Sequence, residues 1–373
     1  MKATNPTVLT QILQSRKVVI CAGSGGVGKT TTSAIAGIAG GMLGKRTLIL
    51  TIDPAKRLAT SLGLKEVGAE PAEITPALRA AGLHPKAEVW AMMLDMSNTF
   101  DQVLRRFVTD QAQWQRIQDN IIYRHVTRTL SGSHEYAAMA QLADLYHSGH
   151  WDLIILDTPP TTHAMDFLEA PRRLEQFFKS RIMEILIGRQ GRGGGLSLFR
   201  RGTDLLLTGL EKLIGSGLLT QITEFFQMLE SLLTAFEQES ARVEMLMASP
   251  EVEFVIVCGP SPAQTLEAQS FFRALDRMKV QAGAVVINRT LTPVLSRRAP
   301  VDELLPLDTA EGVVEQVDIA AGLQAQGRRE LESLVGSARL VTVPLSSHDI
   351  YNVAGLIEIG AILFGPVFPG AGK

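Results

Sequence analysis

The sequence predicts an α/β fold, a doubly wound, mostly parallel sheet with a helical insertion subdomain, on three observations. Short apolar runs rich in β-branched residues alternate with helical stretches, the pattern of a parallel sheet covered by helices on both faces. A glycine-rich segment closes the first run. Acidic residues close the second and fourth.

Taken in order, the strands are expected at residues 17–22 (KVVICA), 47–52 (TLILTI), 88–94 (EVWAMML), 152–157 (DLIILD), 252–258 (VEFVIVC), 282–287 (AGAVVI) and 339–343 (RLVTV), seven in one sheet. The alternation breaks twice. Residues 97–150 read as largely helical, and 166–249 form the larger interruption. Within the latter, Phe225, Phe226, Leu229, Leu232, Leu233, Phe236, Val243 and Leu246 recur at three- and four-residue steps, which predicts one long amphipathic helix. Before it, residues 188–201 hold five glycines and four arginines, so a mobile loop is expected there. The apolar stretches on either side, 182–188 and 205–219, pack on the long helix or await a partner. The predicted organisation is a core of 1–165 and 250–373 with 166–249 inserted as a helical subdomain.

Composition narrows the function classes. The 373 residues are 46% hydrophobic and 20% charged, the mix of a globular chain with enough length for a sizeable core. A formal net charge of −2 gives no field of one sign, so nucleic acid is not an expected partner. The cluster Arg189, Arg192, Arg200 and Arg201 reads as part of a solvated loop. No leader pattern and no run of 18 apolar residues is seen, and a cytoplasmic protein without a stable membrane anchor is expected. Cys21 and Cys258, the only two cysteines, sit in apolar strand runs as core residues. They are too few for a disulfide framework, a zinc site or a metal cluster.

The chemistry concentrates at the first strand. Residues 23–31 read GSGGVGKTT, satisfying GxxxxGK[ST] between a strand and a helix. Backbone N–H groups of Gly25, Gly26, Val27 and Gly28 curl around phosphate, and the following helix adds partial positive charge at its N-terminus. Lys29 reaches the outer phosphates, Thr30 gives a hydroxyl to Mg²⁺, and Thr31 lies beside it. ATP and Mg²⁺ are the cofactors expected. Asp53, ending the second strand, orients or deprotonates the attacking water or holds Mg²⁺ through water; a helix cap would look similar. Asp157, after four apolar residues, has the form of a Walker B acid, again with a helix cap as the alternative. Thr161, Thr162 and His163 follow as a switch loop, with His163 read as structural.

The segments GSGGVGKTTTSA, TIDPAKRLATSLG, LDTPPTTHAMDFLEAP, VVINR and VTVPLSSHDIYNVAGL together resemble the arsenite-pump ATPase and tail-anchored-protein targeting ATPase family, in order and over nearly the whole chain. The likeness is greatest to the bacterial members usually labelled anion-transporting ATPases. The resemblance implies a dimer, or two fused halves, with ATP at the interface and a client such as an apolar helix. It places Lys29 and Thr30 on the phosphate and Mg²⁺ positions, Asp53 on the water-activating acid and Asp157 on the second switch. Asn288 falls on the residue that reads adenine, and Pro344 in the segment flanking the base.

Three departures accompany the resemblance. Where the family carries a second P-loop lysine that reaches the partner's phosphates, this chain has Ser24. A cation of that kind is worth about 10³–10⁵ in rate by analogy with arginine fingers, so hydrolysis is expected to be slow or dependent on a partner. An acid that targeting members place after the fifth strand aligns with Ser261, so both sides of that contact read as missing. Two core cysteines cannot make a three-thiolate arsenite site. The alternative is therefore a regulatory subunit that binds nucleotide and pairs, as a heterodimer, with a related chain carrying the lysine. A membrane-positioning ATPase of the plasmid-partition type is disfavoured because the C-terminal run LIEIGAILFGPVFPGAGK carries one lysine.

Overall fold

The structure is a computed structural model that describes residues 7–52, 67–94, 110–120, 133–159, 237–291, 307–346 and 353–369, with a few isolated positions between them. Its elements run α1 (Val8–Ser15), β1 (Val18–Gly23), α2 (Lys29–Met42), β2 (Thr47–Thr51), β3 (Ala72–Glu73), α3 (Thr75–Ala80), β4 (Val89–Met93), α4 (Gln111–Asp119), α5 (Ser133–His147), β5 (Leu153–Asp157), β6 (Val252–Cys258), α6 (Pro262–Arg277), β7 (Ala282–Thr290), α7 (Leu307–Val335), β8 (Leu340–Pro344) and α8 (Val353–Phe364). Contacts divide the chain into two units. One comprises Met1–Leu94, Asp144–Met165 and Met247–Lys373, the other Asp95–Ala143 and Asp166–Leu246.

The first unit holds one eight-stranded sheet in the order β3-β4-β2-β5-β1-β6-β7-β8. All seven expected strands are present, parallel throughout, with ends within one or two residues of expectation except β7, which runs on to Thr290. The eighth, β3, was not anticipated. It is a two-residue antiparallel edge on β4 whose residues are both exposed, so no apolar pattern marks it. Every residue of β1, β2, β5 and β6 is buried, which is why these strands read as unbroken apolar runs rather than as alternations.

β1 lies between β5 and β6, where the winding direction of the sheet reverses, and such points open a ligand crevice at the strands' carboxyl ends. The helix that follows β1 is drawn tightly onto the sheet. A Cβ on Gly37 would lie 2.2 Å from Ile49 Cγ1, one on Gly40 2.6 Å from Leu153 Cδ2, and one on Gly41 2.3 Å from Val89 Cγ2. Bare glycine surfaces thus let α2 approach β2, β5 and β4 closely, which fixes the position of its N-terminus. The core between α2, α8, α1 and the sheet is filled by Ile35, Ile38, Ile49, Leu153, Val257, Leu356 and Phe364 among others. Each such side chain contributes about 1.5–3 kcal/mol by leaving water. α1 was likewise not anticipated; Thr7 caps it by accepting from the Thr10 N–H at 3.2 Å.

In the second unit, α4 is capped by the Asp110 carboxylate, which accepts from the Ala112 N–H at 2.9 Å, and buries Trp114 and Ile117. Trp114 meets Tyr123 edge to face at 6.2 Å, and the Arg105 guanidinium lies 5.8 Å from the Trp114 ring centre. Residues 237–247 are helical, with Val243 and Leu246 buried. The remainder of the expected long helix, the 188–201 loop and the apolar stretches beside it lie outside the described residues. Among the described residues no helix is long and apolar enough to cross a membrane.

Candidate functional site

The glycine-rich loop joins the end of β1, a central strand of the sheet, to the start of α2. Gly23 passes so close to β6 that a Cβ there would lie 1.8 Å from the Val257 carbonyl oxygen. Gly26 and Gly28 adopt φ of +75° and +97°, a region that side-chain-bearing residues enter at a cost. These turns leave Gly25 and Gly26 exposed and lead into the N-terminus of α2, where a helix carries partial positive charge. That makes a site for an anion.

Lys29 is 7% exposed, and its ammonium donates to the Ser24 carbonyl oxygen at 2.6 Å, so the cation folds back over the loop that it serves. Thr30 and Thr31 are half-buried in the first helical turn. Beneath that turn lies Asp157, fully buried at the end of β5 and level with Cys21 of β1. Its carboxylate accepts from the Thr51 hydroxyl at 3.1 Å and, weakly, from the Ser33 hydroxyl at 3.4 Å. Ser33 follows Thr30 by three residues, so both lie on one side of α2. Thr158 ties the outgoing chain to β1 through its hydroxyl, 2.9 Å from the Cys21 carbonyl oxygen.

Asn288 is brought to the same place from β7. Its amide donates to the Val27 carbonyl oxygen at 2.8 Å, and its side-chain oxygen accepts from the Arg289 N–H at 3.0 Å. The ladder to β8 slips between Asn288 and Thr290, and Arg289 takes φ +61° there, a bulge that turns Asn288 toward the loop. Pro344 ends β8, exposed and level with Thr290. Asp53, Thr161, Thr162 and His163 lie outside the described residues.

Position 24 differs most from the sequence reading. An acid does face it: the Ser24 hydroxyl donates to Glu267 Oε2 at 2.7 Å. This carboxylate comes from α6, six residues beyond Ser261, and Ser261 itself is the N-cap of α6, accepting from the Gln264 N–H. Position 261 itself carries no acid, and the bond that Glu267 makes to Ser24 lies within one chain. Glu267 is the first acid of α6, and nothing in its sequence surroundings distinguishes it from a solvated helix residue.

Both thiols are held protonated. Burial pushes Cys21 up to about 12, with Ser33 and Lys29 opposing and Asp157 adding to the shift. Cys258 also rises to about 12, from burial and then the Glu267 charge. No thiolate chemistry is available at the loop near neutral pH. The groups present do fit a nucleoside triphosphate with its divalent cation. A helix N-terminus and a buried ammonium suit the phosphates, and a hydroxyl and a buried carboxylate suit a hard cation that keeps several waters.

The sequence profile of the anion-transporting ATPase family matches residues 16–364. An ATPase ASNA1 homolog 1 from Paramecium tetraurelia is 23% identical over 95% of this chain and 94% of its own length. A putative arsenical pump-driving ATPase 1 from Aquifex aeolicus is 22% identical over 94% of this chain and 79% of its own. An ATPase get3 from Schizosaccharomyces pombe is 24% identical over 99% and 98%.

Proposed function

The chain belongs to the anion-transporting ATPase family, and from that premise we propose that it is a Mg²⁺-dependent ATPase that works as a dimer and couples its nucleotide cycle to a client-binding helical region. The observation that carries the reading is the buried Lys29 on a glycine-rich loop, with the buried Asp157 accepting from Ser33 of the helix that the loop opens.

On this reading Lys29 leaves the Ser24 carbonyl for the outer phosphates, while the N–H groups from Gly25 to Thr31 hold the inner ones. The Thr30 hydroxyl would hold Mg²⁺, with Asp157 and Asp53 as the acids that would assist it. Mg²⁺ held there would supply charge neutralisation at the phosphates. Asp53 orients or deprotonates the attacking water. Asn288 reads the adenine edge and Pro344 flanks the base, so one move of β7 toward nucleotide is also felt at the loop through Val27. The region 166–249, expected from its sequence to be helical, alternates between two arrangements that bind and release an apolar helix.

Mg²⁺-dependent ATP hydrolysis by the purified chain, beside equilibrium nucleotide binding, tests the reading. Turnover that falls about 100-fold or more in Lys29→Ala supports it. Absence of nucleotide binding by the intact chain overturns it.

A second reading is favoured by Ser24 and its bond to Glu267. The chain then binds ATP, hydrolyses it slowly or not at all alone, and gains turnover in a heterodimer with a related chain that supplies a cation. Tight binding without hydrolysis, restored by such a partner, selects this reading. A fully active homodimer eliminates it.

A further inference from the structure

We propose that Glu267 is a positioning residue of the nucleotide site, holding the phosphate loop through Ser24 once Lys29 has turned to the phosphates. The inference rests on the reading of this loop as an ATP site and assigns a role to a helix that reading does not use.

Ser24 is gripped from two sides. Its carbonyl oxygen accepts from the Lys29 ammonium at 2.6 Å, and its hydroxyl donates to Glu267 Oε2 at 2.7 Å. The two grips differ in what phosphate does to them. A phosphate that draws Lys29 away removes the first, because one ammonium cannot serve the loop carbonyl and the outer phosphates with the same geometry. The second persists, since neither Ser24 Oγ nor the carboxylate is needed for phosphate. In the occupied loop the Glu267 bond is what continues to restrain the Ser24 peptide, and with it the curl that aims the N–H groups of Gly25 and Gly26.

Glu267 is suited to act as a fixed post. It is half-buried on α6, and its charge is close enough to Cys258, the last residue of β6, to raise that thiol. α6 is itself braced. Thr265 sits against Gly327 of α7 so closely that a Cβ there would lie 2.6 Å from its hydroxyl oxygen, and the Gln269 amide donates to Glu330 at 3.1 Å. A loop with a family lysine at position 24 would present a cation outward. With serine, the same position is tied inward to the chain's own helix, and the loop is steadied in cis.

The test is a double-mutant cycle on MgATP dissociation constants by calorimetry, in the full chain. Ser24→Ala and Glu267→Ala should each weaken binding about three- to tenfold, and Ser24→Ala should cost nothing further in the Glu267→Ala background. Ser24→Thr, which keeps the hydroxyl, and Glu267→Gln, which keeps an acceptor, should bind within about twofold of the parent. Hydrogen exchange across 262–277 should slow on MgATP binding in the parent and not in Ser24→Ala. Equal cost of Ser24→Ala in both backgrounds overturns the proposal, as does a lowered Tm with unchanged dissociation constants. Loss of binding already in the parent refutes the ATP-site reading itself, which the cycle thereby separates from failure of the tether.

Discussion

Replacing Gly37 with alanine should destabilise this protein even though it improves the helix that contains it. Gly37 lies mid-helix in α2, and a Cβ there would stand 2.2 Å from Cγ1 and 2.4 Å from Cδ1 of Ile49, a residue with no exposed surface. Carbon contacts settle at about 3.5–4.0 Å, so either helix and sheet part by about 1 Å or Ile49 leaves its rotamer. Overpacking of this kind costs about 1–3 kcal/mol, against about 1 kcal/mol gained from helix propensity. The net loss is up to about 2 kcal/mol. Gly322 of α7 provides the control. It is exposed, with nothing within 4 Å of its Cβ position, and Gly322→Ala should stabilise by about 1 kcal/mol. Urea midpoints of the nucleotide-free protein measure both. Adding Ile49→Val to Gly37→Ala removes the Cδ1 conflict and should recover part of the loss. Because α2 presents Lys29 and Thr30, its displacement should also lower ATP turnover about ten- to a hundredfold. A midpoint that rises in Gly37→Ala as it does in Gly322→Ala refutes the argument that glycine seats this helix.

Three further outcomes are expected. Neither Cys21 nor Cys258 should react with a thiol reagent at pH 8 in the native protein, and both should react after denaturation, because burial holds each at about 12; native modification of either refutes the burial. Tyr146 should ionise near pH 12, because it donates to Glu251 and is then partly desolvated. Its pKa is raised in the fold, so the stabilisation is complete below about pH 10 and disappears as pH rises through about 12. Alkaline ultraviolet titration of the parent and Tyr146→Phe checks this, and an unchanged late phase in the variant counts against it. Asn288→Ala should cost the nucleotide-free protein about 1 kcal/mol by orphaning the Val27 carbonyl; an unchanged urea midpoint would show that water replaces the amide.

Parallel strands buried on both faces need apolar side chains at every position, so β1, β2, β5 and β6 could be read directly from composition and order. The glycine-rich loop was equally legible, since its turns require missing side chains and the motif carries its own cation and hydroxyl. β3 escaped because two exposed residues pairing with an edge carry no pattern. β7 was read three residues short because its last turn is a bulge at Arg289, whose positive φ no residue type there announces. Asp53 and the switch loop expected at Thr161, Thr162 and His163 lie outside the described residues.

The sequence by itself determined the fold class, the place of the phosphate loop, the buried thiols and the absence of a lysine at position 24, because each follows from local residue types and their spacing. Only the tertiary structure decided that Glu267 holds Ser24 across 243 residues of chain, that Asn288 reaches Val27 across 261, and that β1 sits between β5 and β6. Such pairings are set by how strands stack and helices seat on them. A single side chain's eventual neighbour leaves no periodicity in the sequence from which it could be read.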